Sequence, residues 1–236
     1  TSNFTNMGTV VFDNPTALAR TEILQSSANL TNLGSISVVN TGSGSGSKIL
    51  DVVTLSTDMG SLNVDAGETL QLNAVTTEFG TSTSLTGGGQ IFFAGTQDIN
   101  LLSDFTVLMA QPELSFGGDI TVNGPGTLII DSAANLFLRT DAILSNLNNQ
   151  GSLIVQEDFS TISSATFSNT GTIEVRGTDS AGTSALTLGQ SVTNAGTITL
   201  NNDSASSKTI LLDYSGITLT NTGLISTTNT GVGGGT

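Results

Sequence analysis

One five-position signature recurs along this 236-residue chain and restricts what it can fold into. It reads Phe4-Thr-Asn-Met-Gly-Thr-Val-Val-Phe12, then Leu30-Thr-Asn-Leu-Gly-Ser-Ile-Ser-Val38. It returns as Leu147-Asn-Asn-Gln-Gly-Ser-Leu-Ile-Val155, Phe167-Ser-Asn-Thr-Gly-Thr-Ile-Glu-Val175, Val192-Thr-Asn-Ala-Gly-Thr-Ile-Thr-Leu200 and Leu219-Thr-Asn-Thr-Gly-Leu-Ile-Ser-Thr227. Looser copies centre on Gly60, Gly89 and Gly126, so the repeat glycines stand at 8, 34, 60, 89, 126, 151, 171, 196 and 223. The repeat is roughly 25 residues, a period typical of stacked supersecondary units. The long step from Gly89 to Gly126 holds a competing copy, Leu114-Ser-Phe-Gly-Gly-Asp-Ile-Thr-Val122. Residues 94–125 are therefore expected to be an irregular insert.

The signature has a mechanical reading. Two residues after each glycine stand Val10, Ile36, Leu62, Ile91, Leu128, Leu153, Ile173, Ile198 and Ile225, all aliphatic. Two further on, all but Thr227 are again apolar. A spacing of two puts both positions on one face of a strand. The chain thus runs inward strand, Asn-x-Gly turn, inward strand, with the glycine expected to supply a positive φ. One such unit cannot bury its apolar side alone, but stacked neighbours can. The expected fold is all-β: a parallel β-helix, or β-solenoid, of about nine coils. It forms a single domain over 1–230 with a Gly-rich end at 231–236. A β-sandwich also uses short strands and regular turns, but it does not require one signature repeated nine times. Thr16 to Leu24 is the best helix candidate in a chain otherwise patterned for strands.

Repeats of the form Φ-x-Asn-x-Gly-x-Ile-x-Val resemble those of filamentous-haemagglutinin-type exoproteins and autotransporter passengers, over nearly the whole chain. The resemblance implies a right-handed parallel β-helix, secretion across a bacterial outer membrane, and an adhesive or surface-fibre role. The expected location is extracellular or at the cell surface.

Composition narrows the chemistry. There is no Cys and no His, which excludes imidazole catalysis, thiolate sites and a disulfide framework. Five basic against 19 acidic residues, net charge −14, argue against nucleic-acid partners. No apolar run is long enough for a membrane span. Parallel β-helices also host polysaccharide lyases, glycosidases and tailspikes, whose chemistry needs gathered carboxylates. The outward position three after each glycine carries one carboxylate in nine, Glu174. The sequence-close acids Asp51 and Asp58, Asp98 and Asp104, and Glu157 and Asp158 read as solvated loop charges. No catalytic residue, metal site or cofactor is expected. The glycine runs at 42–46 and 86–90 lack the Gly-Lys-Ser/Thr of a phosphate loop. Threonine pairs such as Thr197 and Thr199 do not extend into the unbroken ranks of an ice-binding face, so ordinary β-propensity explains them.

Three structural expectations follow. Asn6, Asn32, Asn149, Asn169, Asn194 and Asn221, with Asp58 in register, should stack as a turn ladder. The outward residues Phe92, Ile129 and Ile154 should align into a contact stripe, covered by a loop, by another molecule or, as favoured, by the 94–125 insert; Phe116 and Tyr214 are further outward aromatic candidates. The solenoid should continue past at least one end, by further coils or by copies of itself mating end to end. The expected function is a structural or adhesive segment of a bacterial surface protein, a rigid rod meeting host or surface glycans or proteins. The alternative is a carbohydrate-binding or carbohydrate-degrading β-helix of tailspike or lyase type.

Overall fold

The computed structural model describes residues 3–15, 21–42, 47–139, 141–156, 159–177, 183–202, 208–213 and 216–229. Among these residues every regular element is a strand, and there is no helix. Phe4–Asn6 opens a first face, Thr9–Asp13 a second and Glu22–Gln25 a third. The chain then returns: Asn29–Asn32 pairs in parallel with Phe4–Asn6, and Ser35–Val39 pairs with Thr9–Asp13. Repetition of this circuit builds a three-faced β-solenoid of about nine turns. Lys48–Ser56 and Thr69–Phe79 run unbroken around the corner from the third face to the first. Those two faces therefore count as one 18-stranded sheet, while the second face is divided into sheets of four and six strands.

Alternation decides what lies inside. Along the third face Leu50, Leu72, Phe93, Phe116, Leu138, Val155 and Val175 follow one another inward, all buried. In the middle coils the interior is filled by aromatic rings: Phe79 stacks on Phe105 at 4.7 Å, and Phe93 meets Phe116 edge-on at 5.2 Å. Phe116 is thus a core residue, not an outward aromatic. Of the helix candidate, 16–20 lie outside the described residues and Glu22–Gln25 is a strand. Its pairing with Lys48–Asp51 outweighs the local Leu/Ala helix propensity.

Residues 94–125 form no insert. Gln97–Leu101, Phe105–Val107, Glu113–Phe116 and Ile120–Asn123 are ordinary rungs of the solenoid. The 89-to-126 step is long because the signature changes corner. Gly8, Gly34 and Gly60 turn the chain from the first face to the second, whereas Gly151, Gly171, Gly196 and Gly223 turn it from the second to the third. Gly118 and Gly126 are successive corners of one coil, which is why two copies compete there. True coil length varies more than the signature suggests. Register partners on the third face lie only 17 residues apart at Leu136 and Leu153, and 27 apart at Ile198 and Ile225.

The repeat glycines do not supply positive φ; among the described residues that conformation belongs to Gly67, Gly87, Gly95, Gly124 and Gly216. They are required by the stack. A Cβ on Gly196 would lie 2.0 Å from the carbonyl oxygen of Gly171, one coil away, whereas a Cβ on Gly8 would meet nothing within 4 Å. Gly196→Ala is therefore expected to destabilise by about 1–3 kcal/mol through overpacking. Gly8→Ala should be near neutral. Parallel thermal melts of the two variants check this; equal melting temperatures would refute it.

Candidate functional site

The turn asparagines form two stacks at two corners. At the first, Asn6 Nδ2 donates to Asn32 Oδ1 at 2.8 Å, and Asn32 Nδ2 donates to the Ser61 carbonyl at 3.1 Å. Asp58 does not continue this stack. Leu30 and Thr31 pair with Leu55 and Ser56, so the next position in register is Thr57, which is buried. Asp58 falls one residue further on, half-buried, its carboxylate against Gly80. At the other corner Asn149 donates to Asn169 at 2.7 Å, Asn169 to Asn194 at 2.5 Å and Asn194 to Asn221 at 2.6 Å. Asn149 also donates to the Thr172 carbonyl at 2.9 Å. Each amide thereby ties two coils through the interior edge of a turn.

The outward residues divide between faces. Phe92 and Ile154 stand in one column of the third face, whose rungs pair Phe92 with Ser115, Ser115 with Phe137 and Phe137 with Ile154. Ile129 belongs to the second face, paired with Thr106 and Asn148, and does not join them. Phe137 takes its place. It escaped the sequence frame because its coil carries no Asn-x-Gly signature. Ser115 and Ile154 are buried within this column, and Phe92 and Phe137 are half-buried. The Phe92 ring lies over Gly117, where a Cβ would come within 2.1 Å of it. The column ends at Glu174, clamped by Arg176 at 2.7 Å and Asn201 at 2.8 Å. Burial raises the Glu174 pKa, but the hydrogen bonds and charge of these partners outweigh it and hold the carboxyl below its ordinary value.

Two grooves flank the third face. The first, about 490 Å³, lies at the corner with the second face. Its floor carries Thr69, Gln90, Glu113 and Asn135 on successive rungs, and Gln90 donates to Glu113 at 2.8 Å. Its wall is the loop bearing Leu108, Met109 and Pro112, with Met109 73% exposed. The second groove, about 600 Å³, lies at the corner with the first face. There Gln25 donates to Asp51 and Gln71 to Asn73, beside the exposed Val53 and Val75.

The carboxylates noted in the sequence do not gather. Asp51 is held by Gln25, and Asp104 accepts from the Thr127 amide at 2.9 Å. Glu157, Asp158 and Tyr214 lie outside the described residues. Among the described residues no group of three or more acidic side chains is placed to hold a metal ion. The most perturbed acid is one that the pattern did not mark. Asp141, 2% exposed, sits at the corner between the third face and the first. Burial pushes its carboxyl up to about 7, with the Asp119 charge adding and the backbone N–H groups of Arg139 (2.6 Å) and Ile120 (3.2 Å) opposing.

A three-faced parallel solenoid with amide ladders at its turns and a partly aromatic column on one side defines a repeat-built β-solenoid domain. The chain belongs to the hyphally regulated cell wall protein N-terminal family, whose model matches residues 90–233. No curated protein and no solved structure matches it. Membership supports an extracellular, cell-surface location and a structural or adhesive role there. It supports a surface β-solenoid, as the resemblance implied, but points neither to the filamentous-haemagglutinin and autotransporter families nor to a bacterial origin. Among the described residues no helix is long and apolar enough to cross a membrane.

Proposed function

We propose that the chain is a rod-like adhesive segment of a cell-wall surface protein, with its third face and the cleft beside Met109 as the contact surface. The carrying observation is the uninterrupted parallel stack, which holds Thr69, Gln90, Glu113 and Asn135 in one line on a rigid sheet. Exposed side chains on a rigid support bind with little ordering cost. The proposed partners are a surface glycan or protein on the outer side, and adjoining coils or further copies end to end. No cofactor, nucleic acid or inserted membrane is part of the proposal.

A second reading, a carbohydrate-binding β-helix, is favoured by that same ladder. Amide and carboxylate groups one rung apart suit the hydroxyls of an extended sugar chain lying along the axis, with Met109 and Leu108 against its apolar faces. A role in binding rather than turnover is proposed. A glycan array run beside a turnover screen separates the two.

The adhesion reading is tested with the chain coupled to beads and detached under flow from glycan- and protein-coated surfaces. Met109→Asp and Gln90→Ala are each expected to weaken attachment about tenfold, as for a contact worth a little over 1 kcal/mol, with an unchanged melting temperature. Attachment equal to the parent chain on every coated surface would place the contact elsewhere.

A further inference from the structure

We propose that Lys48 and Asn40 are the two halves of an intramolecular isopeptide cross-link, formed with Glu68 as its acid–base group. Lys48 occupies an inward position on the third face, in register with Leu70, and is 1% exposed. Lysine is almost never fully buried without a specific reason. Its ammonium meets one oxygen of the Glu68 carboxylate, Oε2, in a very close contact. The other oxygen, Oε1, accepts from Asn40 Nδ2 at 2.7 Å. Glu68 is itself only 7% exposed. An amine and a carboxamide are thus held on the two oxygens of one buried carboxylate. On the rung above, Glu22 is the register partner of Lys48.

This is the arrangement that amide exchange needs. Glu68 Oε2, in close contact with the Lys48 ammonium, takes its proton as the first step of the exchange. The neutral amine is a nucleophile, and holding it beside its target replaces a bimolecular encounter. Nζ attacks Asn40 Cγ. The Nζ–Cγ bond forms and the Cγ–Nδ2 bond breaks. Glu68 relays a proton from the attacking nitrogen to the departing one, along the hydrogen bond that Nδ2 already makes to Oε1. Amine plus carboxamide gives a secondary amide plus ammonia, with no oxidant or reductant. Asn40 is exposed on its other side, so ammonia has a path to water.

Intact-mass measurement of the purified, folded chain tests this directly. The expected mass is about 17 Da, one ammonia, below that of the sequence. Trypsin should fail to cut after Lys48, leaving one peptide over 21–139, bridged internally from Asn40 to Lys48, in place of linear peptides 21–48 and 49–139. Lys48→Arg and Glu68→Gln should each restore the full mass. The parent measurement does not depend on whether the variants fold. A parent chain at full mass, cut normally after Lys48, overturns the proposal and leaves a buried ion pair. A loss of 17 Da that persists in Lys48→Arg also overturns it, since that is a succinimide elsewhere.

Discussion

Replacing Asp141 by Asn should make the protein more stable at pH 8 and leave it no more stable at pH 4. A carboxyl whose pKa is raised in the fold binds more protons folded than unfolded. Its contribution to stability is therefore complete below about pH 4 and is lost as the pH rises towards about 7. The rise from 3.8 to about 7 corresponds to about 4 kcal/mol across that window. Asn does not titrate, so the stability difference between variant and parent should shift by up to that amount in favour of Asn from pH 4 to pH 8. At pH 4 the Asn nitrogen faces a backbone N–H that the carboxyl oxygens accept, so there the variant should be the weaker protein. Urea titrations of both proteins at pH 4, 5.5, 7 and 8 measure the difference, and titrations common to both chains cancel. A difference independent of pH would show that Asp141 ionises as an exposed aspartate does.

Asn169→Ala should be among the most damaging single changes in the C-terminal coils. Asn169 is completely buried and bonded on both sides, accepting from Asn149 and donating to Asn194. Its removal leaves the Asn194 oxygen without its donor, takes one partner from Asn149, and opens a small void. At about 1–3 kcal/mol for each group left unsatisfied, the expected loss is about 2–4 kcal/mol. For a chain of this size that lowers the melting temperature by about 4–16 °C. Asn6→Ala, at a half-buried terminal rung whose amide donates to Asn32 and to the Ser35 carbonyl but accepts from no other asparagine, should cost less, about 1–2 kcal/mol. If both variants melt together, the asparagines serve only their own turns.

Strand alternation was legible because it is local. Ile36, Leu62, Ile91, Leu153 and Ile173, read as inward from their spacing, are all buried. The corner at which each repeat turns was not legible, because an Asn-x-Gly turn is equally satisfied at either of two corners. Only inter-coil pairing distinguishes them. One ladder therefore became two, Thr57 took the place read for Asp58, and Ile129 left the column that Phe137 joins. The same limit hid Lys48 and Asp141. A lysine opening a strand reads as solvated until the next coil brings Glu68 beneath it. The aspartate reads as a loop acid until Ile120 and Ser160 close over it from adjoining coils.

The parallel rungs also set how the molecule answers a pull. Their hydrogen bonds run along the solenoid axis, so tension between the two ends loads every inter-coil interface in series, and the weakest yields first. A coil that lets go releases about 17 to 27 residues, and each extends by up to about 3.5 Å. Pulled at its two ends, the stack would lengthen by roughly 60–95 Å per lost coil while the remaining coils kept their shape. Such a stack dissipates a pull as successive yielding steps rather than as one rupture.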